Sequence, residues 1–160
     1  MNTIRTLRRT ALAVAILIGA GSAALALTPH QHQPGATASL SIELDQGRKW
    51  ATDDSLRAGM NRIRAAVEET LPGVHQGRAT PADFRALAGR LQEQVDFVLA
   101  NCKLPEAADQ QLHLVLERMI EGIDTLKAES GQTDGVIAVV EALDAYATAF
   151  DHPDWTPLAD

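Results

Sequence analysis

Four residues have side chains suited to binding a soft transition metal: Cys102, His113, Met60 and His152. Cys102 is the single cysteine of the 160-residue chain, so it cannot form an internal disulfide. A thiolate, an imidazole and a thioether together suit Cu(I), because all three are soft or borderline ligands. These residue types predict a copper site, and the methionine–histidine combination also suits haem.

Each of these side chains also has a purely structural explanation. Met60 falls on an apolar helical stripe and could fill the core, while His113 follows Leu112 at the edge of another stripe. Cys102 could be a partly buried, inert thiol, since free cysteines are often buried. Lys103 beside it would instead favour the thiolate and raise its reactivity. The residue types alone leave metal binding and packing open.

The chain lacks the short motifs of several cofactor and enzyme classes. It contains no Cys-x-x-Cys-His sequence for covalent haem, no Glu-x-x-His pair for a di-iron centre and no cysteine cluster for zinc. It also has no nucleophile elbow, phosphate-binding loop or His-Glu zinc helix. The sequence therefore favours a non-enzymatic protein.

Residues 1–26 have the pattern of a secretory signal peptide. Three arginines (Arg5, Arg8 and Arg9) precede an apolar run over residues 11–20, and residues 24–26 form an Ala-x-Ala cleavage site. The apolar run is shorter than the roughly 20 residues that a membrane span needs. We expect cleavage near Ala26, export to the periplasm and no stable membrane anchor in the mature protein.

The mature chain is strongly acidic. Three of the 14 basic residues lie in the first 26 positions, which leaves 11 basic against 21 acidic side chains and a net charge of −10. Such a chain repels phosphate backbones, so nucleic acid is not an expected partner. A periplasmic protein is the expected kind of partner.

Apolar residues recur at spacings of three and four along four stretches, as they do in amphipathic helices. Thr52 or Asp54 is expected to cap the first stretch, and Pro72 and Gly73 are expected to end it after Leu71. Thr80 is expected to cap the second stretch. The predicted helices lie near residues 53–71, 81–102, 105–129 and 133–151, with short connections. The sequence therefore predicts an all-α protein, an antiparallel up-down-up-down four-helix bundle. The expected segments are a signal peptide (1–26), a flexible tail and extended N-terminal arm (27–51), the bundle (52–152) and a C-terminal tail (153–160).

This topology would gather Trp50, Cys102, His152 and Trp155 at one end of the bundle. Met60 and His113 would lie at one level, roughly 10–12 Å below that end. Two functions follow. The protein could bind copper through Cys102, His113, Met60 or His152, or its aromatic end could dock a periplasmic partner.

Several stretches resemble the DnrO-like family of small exported helical proteins. They are GRKWATD at residues 47–53, LRxGMxxIR at 56–64, NCKLP at 101–105 with LH at 112–113, and FDHPDW at 150–155. The resemblance covers nearly the whole mature chain and implies an exported helical protein without assigned catalytic residues. A looser similarity to cytochrome b562-type bundles implies haem ligation by a methionine early in the first helix and a histidine late in the fourth. Met60 matches the first of these ligands, whereas His152 falls beyond the fourth predicted helix.

Overall fold

The computed structural model describes residues 40–158, and its regular structure is almost entirely helical. It consists of β1 (Trp50–Ala51), α1 (Asp54–His75), α2 (Pro81–Asn101), α3 (Glu106–Lys127), α4 (Gln132–Ala149) and β2 (Phe150–Asp151). The structure is 70% helical, which confirms the all-α prediction. The predicted signal peptide, the tail up to residue 39 and the last two residues lie outside the described part. Within residues 40–158, no helix is both long and apolar enough to cross a bilayer.

Helix α1 continues past the proline that was expected to end it. Pro72 lies inside the helix, which ends at His75, four residues later than predicted. A proline inside a helix loses its own N–H bond and crowds the carbonyl four residues earlier, but the turn after Pro72 still closes through the Gln76 N–H, which donates to the Pro72 carbonyl at 3.3 Å. In the last turn, the Gly73 carbonyl accepts hydrogen bonds from the N–H groups of Arg78 and Ala79. A carbonyl that would otherwise lack a partner at the end of the helix is thereby hydrogen-bonded.

The helix starts differ in how they are capped. Asp53, rather than Thr52 or Asp54 on either side, caps α1 by accepting the Leu56 N–H through Oδ1 at 2.7 Å. Helix α2 has the expected Thr80 cap, with a reciprocal bond from Asp83. Helix α4 has no side-chain cap and follows Gly131 in the left-handed conformation (φ 77°).

The apolar stripes read from the sequence form the core. Most of their members, from all four helices, are at least nine-tenths buried, whereas Leu71 and Cys102 are only partly buried. The largest include Leu56, Met60 and Ile63 of α1, Leu87 and Leu91 of α2, Leu112, Met119 and Ile123 of α3, and Tyr146 of α4 with Phe150 after it. Helix α3 packs most extensively on α4, and α1 on α2, whereas α1 and α4 share few contacts.

The N-terminal arm, residues 40–51, lies against the helices and is not a free segment. The Glu43 N–H donates to Gln111 of α3 at 2.8 Å, and Lys49 donates to the carbonyl of Ala147 in α4 at 2.6 Å. Trp50 donates its indole N–H to the Glu43 carbonyl and pairs, in parallel register, with Phe150. These hydrogen bonds connect the arm to α3 and α4, whereas the flexible tail expected before residue 40 lies outside the described residues.

Helices α3 and α4 approach each other backbone to backbone at two glycines. A Cβ added to Gly122 would lie 2.8 Å from the Gly135 carbonyl oxygen, and one added to Gly135 would lie 2.8 Å from the Gly122 oxygen. Real Cβ atoms do not come this close to backbone oxygens. Only glycine at both positions allows the two helices to pack at this distance.

Gly122→Ala is therefore expected to destabilise the protein by about 2–3 kcal/mol, the usual cost of overpacking a tight contact. Gly89→Ala is the matched control, since Gly89 is an exposed residue inside α2 with open space around its Cα. That change should stabilise the protein by about 0.5–1 kcal/mol through helix propensity. Urea unfolding followed by circular dichroism measures both, and equal midpoints for Gly122→Ala and the unaltered protein would contradict the close contact.

Candidate functional site

One carboxylate joins three segments at the end of the helices that carries Cys102. Asp53 accepts the Leu56 N–H through Oδ1 and the Lys103 N–H through Oδ2, the latter at 2.6 Å. It also accepts a hydrogen bond from the Cys102 thiol. The start of α1 is thereby tied to the turn between α2 and α3.

The same end is closed by an aromatic cluster from the C-terminal part of the chain. Tyr146 stacks on Phe150 with ring centroids 5.2 Å apart and meets Trp155 edge-on at 5.1 Å. The His152 ring lies 4.9 Å from the Trp155 ring, and its Nδ1 is 2.8 Å from the Tyr146 hydroxyl. The aromatic residues therefore fill this end, which makes it a plug more than an open binding mouth.

Burial keeps the histidine–tyrosine pair neutral. Desolvation, with the nearby Arg57 charge, lowers the pKa of His152 below its ordinary 6.5. Desolvation also raises the pKa of Tyr146 well above its usual value. The Tyr146 hydroxyl and His152 Nδ1, 2.8 Å apart, share a hydrogen bond whose direction is set by the tautomer of the neutral imidazole.

Cys102 is partly exposed, as expected, and of the two alternatives for its chemistry the raised pKa fits the inert thiol and not the reactive thiolate. Desolvation and the Asp53 and Asp109 carboxylates raise its pKa to about 12. The positive charge of Lys103 was expected to favour the thiolate, whereas the nearby charges that act on the thiol are negative. The residue is a thiol that donates a hydrogen bond to Asp53.

Met60 and His113 lie on different sides of the core boundary. Met60 is fully buried in the core, whereas the His113 side chain is 59% exposed on α3. His113 contacts Asp109, with its Nδ1 2.8 Å from the Asp109 backbone oxygen. The two residues therefore do not form a facing ligand pair.

His152 and Cys102 share one end of the molecule, and the other two predicted ligands lie elsewhere. Within residues 40–158, no three His, Cys, Asp or Glu side chains are close enough together to hold a metal ion. Copper or haem binding through Cys102, His113, Met60 or His152 stays a prediction from the sequence.

An apolar cavity that sequence reasoning missed lies between α1 and α4, where these helices share few contacts. Its volume is about 380 Å³. The apolar lining comes from both helices and from the C-terminal tail: Leu71, Val74, Val136, Ile137, Val140 and Leu158. Polar atoms come from His75, Thr133, Glu141 and Asp144. The adjacent apolar residues Val136 and Ile137 make the apolar face of α4 wider than one stripe. This is the feature of the sequence that could have indicated the cavity.

Two further grooves also have apolar surface. One of about 430 Å³ lies between α4 and the N-terminal arm, where it is lined by Leu40, Ile42 and Leu44. Another, of about 400 Å³, lies between α2 and α3 beside Leu99. The large apolar side chains most exposed in the described part of the chain are Leu44, Leu99 and Ile137, and each lines one of the three.

Comparisons with known proteins find no matching family model, no matching curated protein and no matching solved structure.

The raised pKa of Cys102 predicts slow alkylation of the folded protein. At about pH 8, iodoacetamide should react on the order of a thousandfold more slowly with the native protein than with the urea-unfolded chain, because only the thiolate attacks. Asp53→Asn should speed the native reaction by removing the nearest negative charge. Asp54→Asn is the control, since Asp54 is almost fully exposed and does not act on the thiol. Equal rates for native and unfolded protein would contradict the assignment.

The lowered pKa of His152 predicts a loss of stability in mild acid. Below about pH 6.5 the unfolded chain binds a proton that the folded His152 resists, so the free energy of unfolding should fall as the pH falls from about 6.5 to 5. His152→Gln should flatten this part of the profile. His113→Gln should keep it, because the buried histidine remains. Urea titrations across the pH range measure the slopes, and an unchanged slope in His152→Gln would show that another group is responsible.

Proposed function

We propose that this protein is an exported, non-enzymatic binding protein whose α1–α4 cavity holds a small apolar ligand or the apolar part of a larger one. The scaffold we propose is an antiparallel, up-down-up-down four-helix bundle in the periplasm. The single observation that carries the proposal is the apolar cavity of about 380 Å³.

The contacts between helix ends support the antiparallel arrangement. Asp53 and Thr52, before α1, bond to Lys103 after α2 and to Asp151 after α4. Along the α3–α4 contact, Arg118 meets Glu141 whereas Gly122 meets Gly135, so the residue numbers run in opposite directions. The signal-peptide pattern of residues 1–26 supports export.

The size and lining of the cavity suit a small apolar group. Ligand sites usually occupy about 300–1,000 Å³, so this cavity can accept a small molecule or one apolar branch of a larger one. Val136 is 3% exposed at its floor, whereas Ile137 at its edge is 48% exposed. Burying that exposed edge beneath a ligand removes apolar surface from water, and this supplies the driving force for binding.

The C-terminal tail forms one wall of the cavity. Leu158 lines it, and the Thr156 carbonyl accepts a hydrogen bond from Arg64 of α1. The cavity is therefore complete only while the tail lies along α1, which couples ligand binding to the position of the tail.

Binding can be tested with Nile red, a neutral apolar dye. We expect saturable binding near one dye per protein, with emission shifted to the blue. Val140→Phe should fill the cavity and weaken binding by about tenfold or more, as the loss of a buried apolar contact of about 1.4 kcal/mol would do.

Leu114→Phe is the matched control, because it introduces the same aromatic ring at a half-buried aliphatic residue of α3 that does not line the cavity. Circular dichroism establishes that both variants are folded. Equal affinity in Val140→Phe and the unaltered protein would remove the α1–α4 cavity as the binding site.

A further inference from the structure

The groove between α2 and α3 is separate from the proposed ligand cavity. Its apolar surface comes from Leu99 of α2 and from Leu116 and Ile120 of α3. Leu99 is 52% exposed and is the most exposed large apolar side chain in residues 40–158. Leu99 and the partly buried Ile120 line one continuous groove, which makes this groove a candidate docking surface.

Three carboxylates follow the α3 side of this groove: Glu117, Glu121 and Asp124. Glu121 is 2.9 Å from Arg118, but Arg118 also bonds to Glu141. Asp124 is 3.3 Å from Lys127. In the described part of the chain, Glu117 makes no ion pair. The three carboxylates outnumber the two cations paired with them, Arg118 and Lys127, so the edge of the groove keeps a net negative charge.

The groove has the length of a short helix. Its α3 residues run from His113 to Asp124 at spacings of three and four, which places them on one face over three turns, or about 16 Å. A partner helix that packs along this face can place apolar side chains at positions i, i+4 and i+7 over Leu99 and Ile120.

We propose that the α2–α3 groove docks an amphipathic helix of a partner protein, with leucine-like side chains in the groove and lysine or arginine along its edges. The cationic side chains would lie opposite Glu117, Glu121 and Asp124. Charge complementarity of this kind directs association and orientation.

The charges disfavour the other occupants of an apolar groove. A second copy of this chain, related by a twofold axis, would bring the same three carboxylates towards their own counterparts. An anionic membrane surface would meet the same repulsion. A cationic helix is the occupant that satisfies both the apolar floor and the acidic edge.

The test uses two synthetic helical peptides of 18 residues with identical leucine positions at i, i+4, i+7 and i+11. One carries lysines beside the leucines, and the other carries glutamates. Isothermal titration calorimetry with the mature protein should detect the lysine peptide, with an affinity that falls as salt is raised. The glutamate peptide should bind at least about tenfold more weakly, since like charges oppose each other across the groove.

Charge reversal locates the site. Glu117→Lys should weaken binding of the lysine peptide by about tenfold, and Leu99→Ser should weaken it by a similar factor. Glu93→Lys is the matched control: it makes the same change in net charge at an exposed α2 residue that does not line the groove, and it should alter affinity less than about twofold. Melting temperatures establish that the variants are folded.

Three results would overturn the proposal. They are equal binding of the two peptides, no binding of the lysine peptide, and equal weakening by Glu93→Lys and Glu117→Lys. Because Val140→Phe alters only the α1–α4 cavity, it should leave peptide affinity unchanged. Loss of dye binding and loss of peptide binding are therefore distinguishable.

Discussion

The arrangement of this end of the protein depends on the hydrogen bonds that the Asp53 carboxylate accepts. It accepts hydrogen bonds from the Leu56 and Lys103 N–H groups and from the Cys102 thiol. Burial acts to raise its pKa, but these donors and Arg57 outweigh burial, so the pKa of Asp53 is lowered. An ionised carboxylate held in this way fixes where α1 begins relative to the α2–α3 turn. The same negative charge holds Cys102 in its protonated form.

The helices were predictable because their core residues repeat with the period of a helix. That periodicity is a property of neighbouring residues, and it located the stripes around Met60 and Met119 correctly. The ends of the helices were less predictable. Pro72 was expected to end α1, but the Gln76 N–H donates to the Pro72 carbonyl and closes one more turn, so the helix continues to His75. The sequence did not identify Asp53 as the cap, because three successive residues, Thr52 to Asp54, all have side chains that can cap a helix.

The functional surfaces were harder to predict because they depend on residues far apart in the sequence. The pKa of Cys102 was expected to follow its neighbour Lys103, yet it follows Asp53, which is about 50 residues away along the chain. His113 was assigned to the core edge by its position next to Leu112, and the structure leaves it exposed. The α1–α4 cavity arises because two helices that each satisfy the helical pattern pack sparsely against each other. The periodicity within one helix does not indicate how closely that helix packs against another.

The short parallel pairing of β1 with β2 has a consequence for the order of folding. Trp50 and Phe150 are register partners, so their pairing closes a loop of about 100 residues. The entropy lost in closing so long a loop is recovered only after the intervening helices have packed and brought the two strands together. We therefore expect the pairing to form late and to open before the helices unfold. On this view the amide hydrogens of Ala51 and Asp151 should be among the least protected of the fold, and those around Leu91 and Met119 should exchange only through global unfolding.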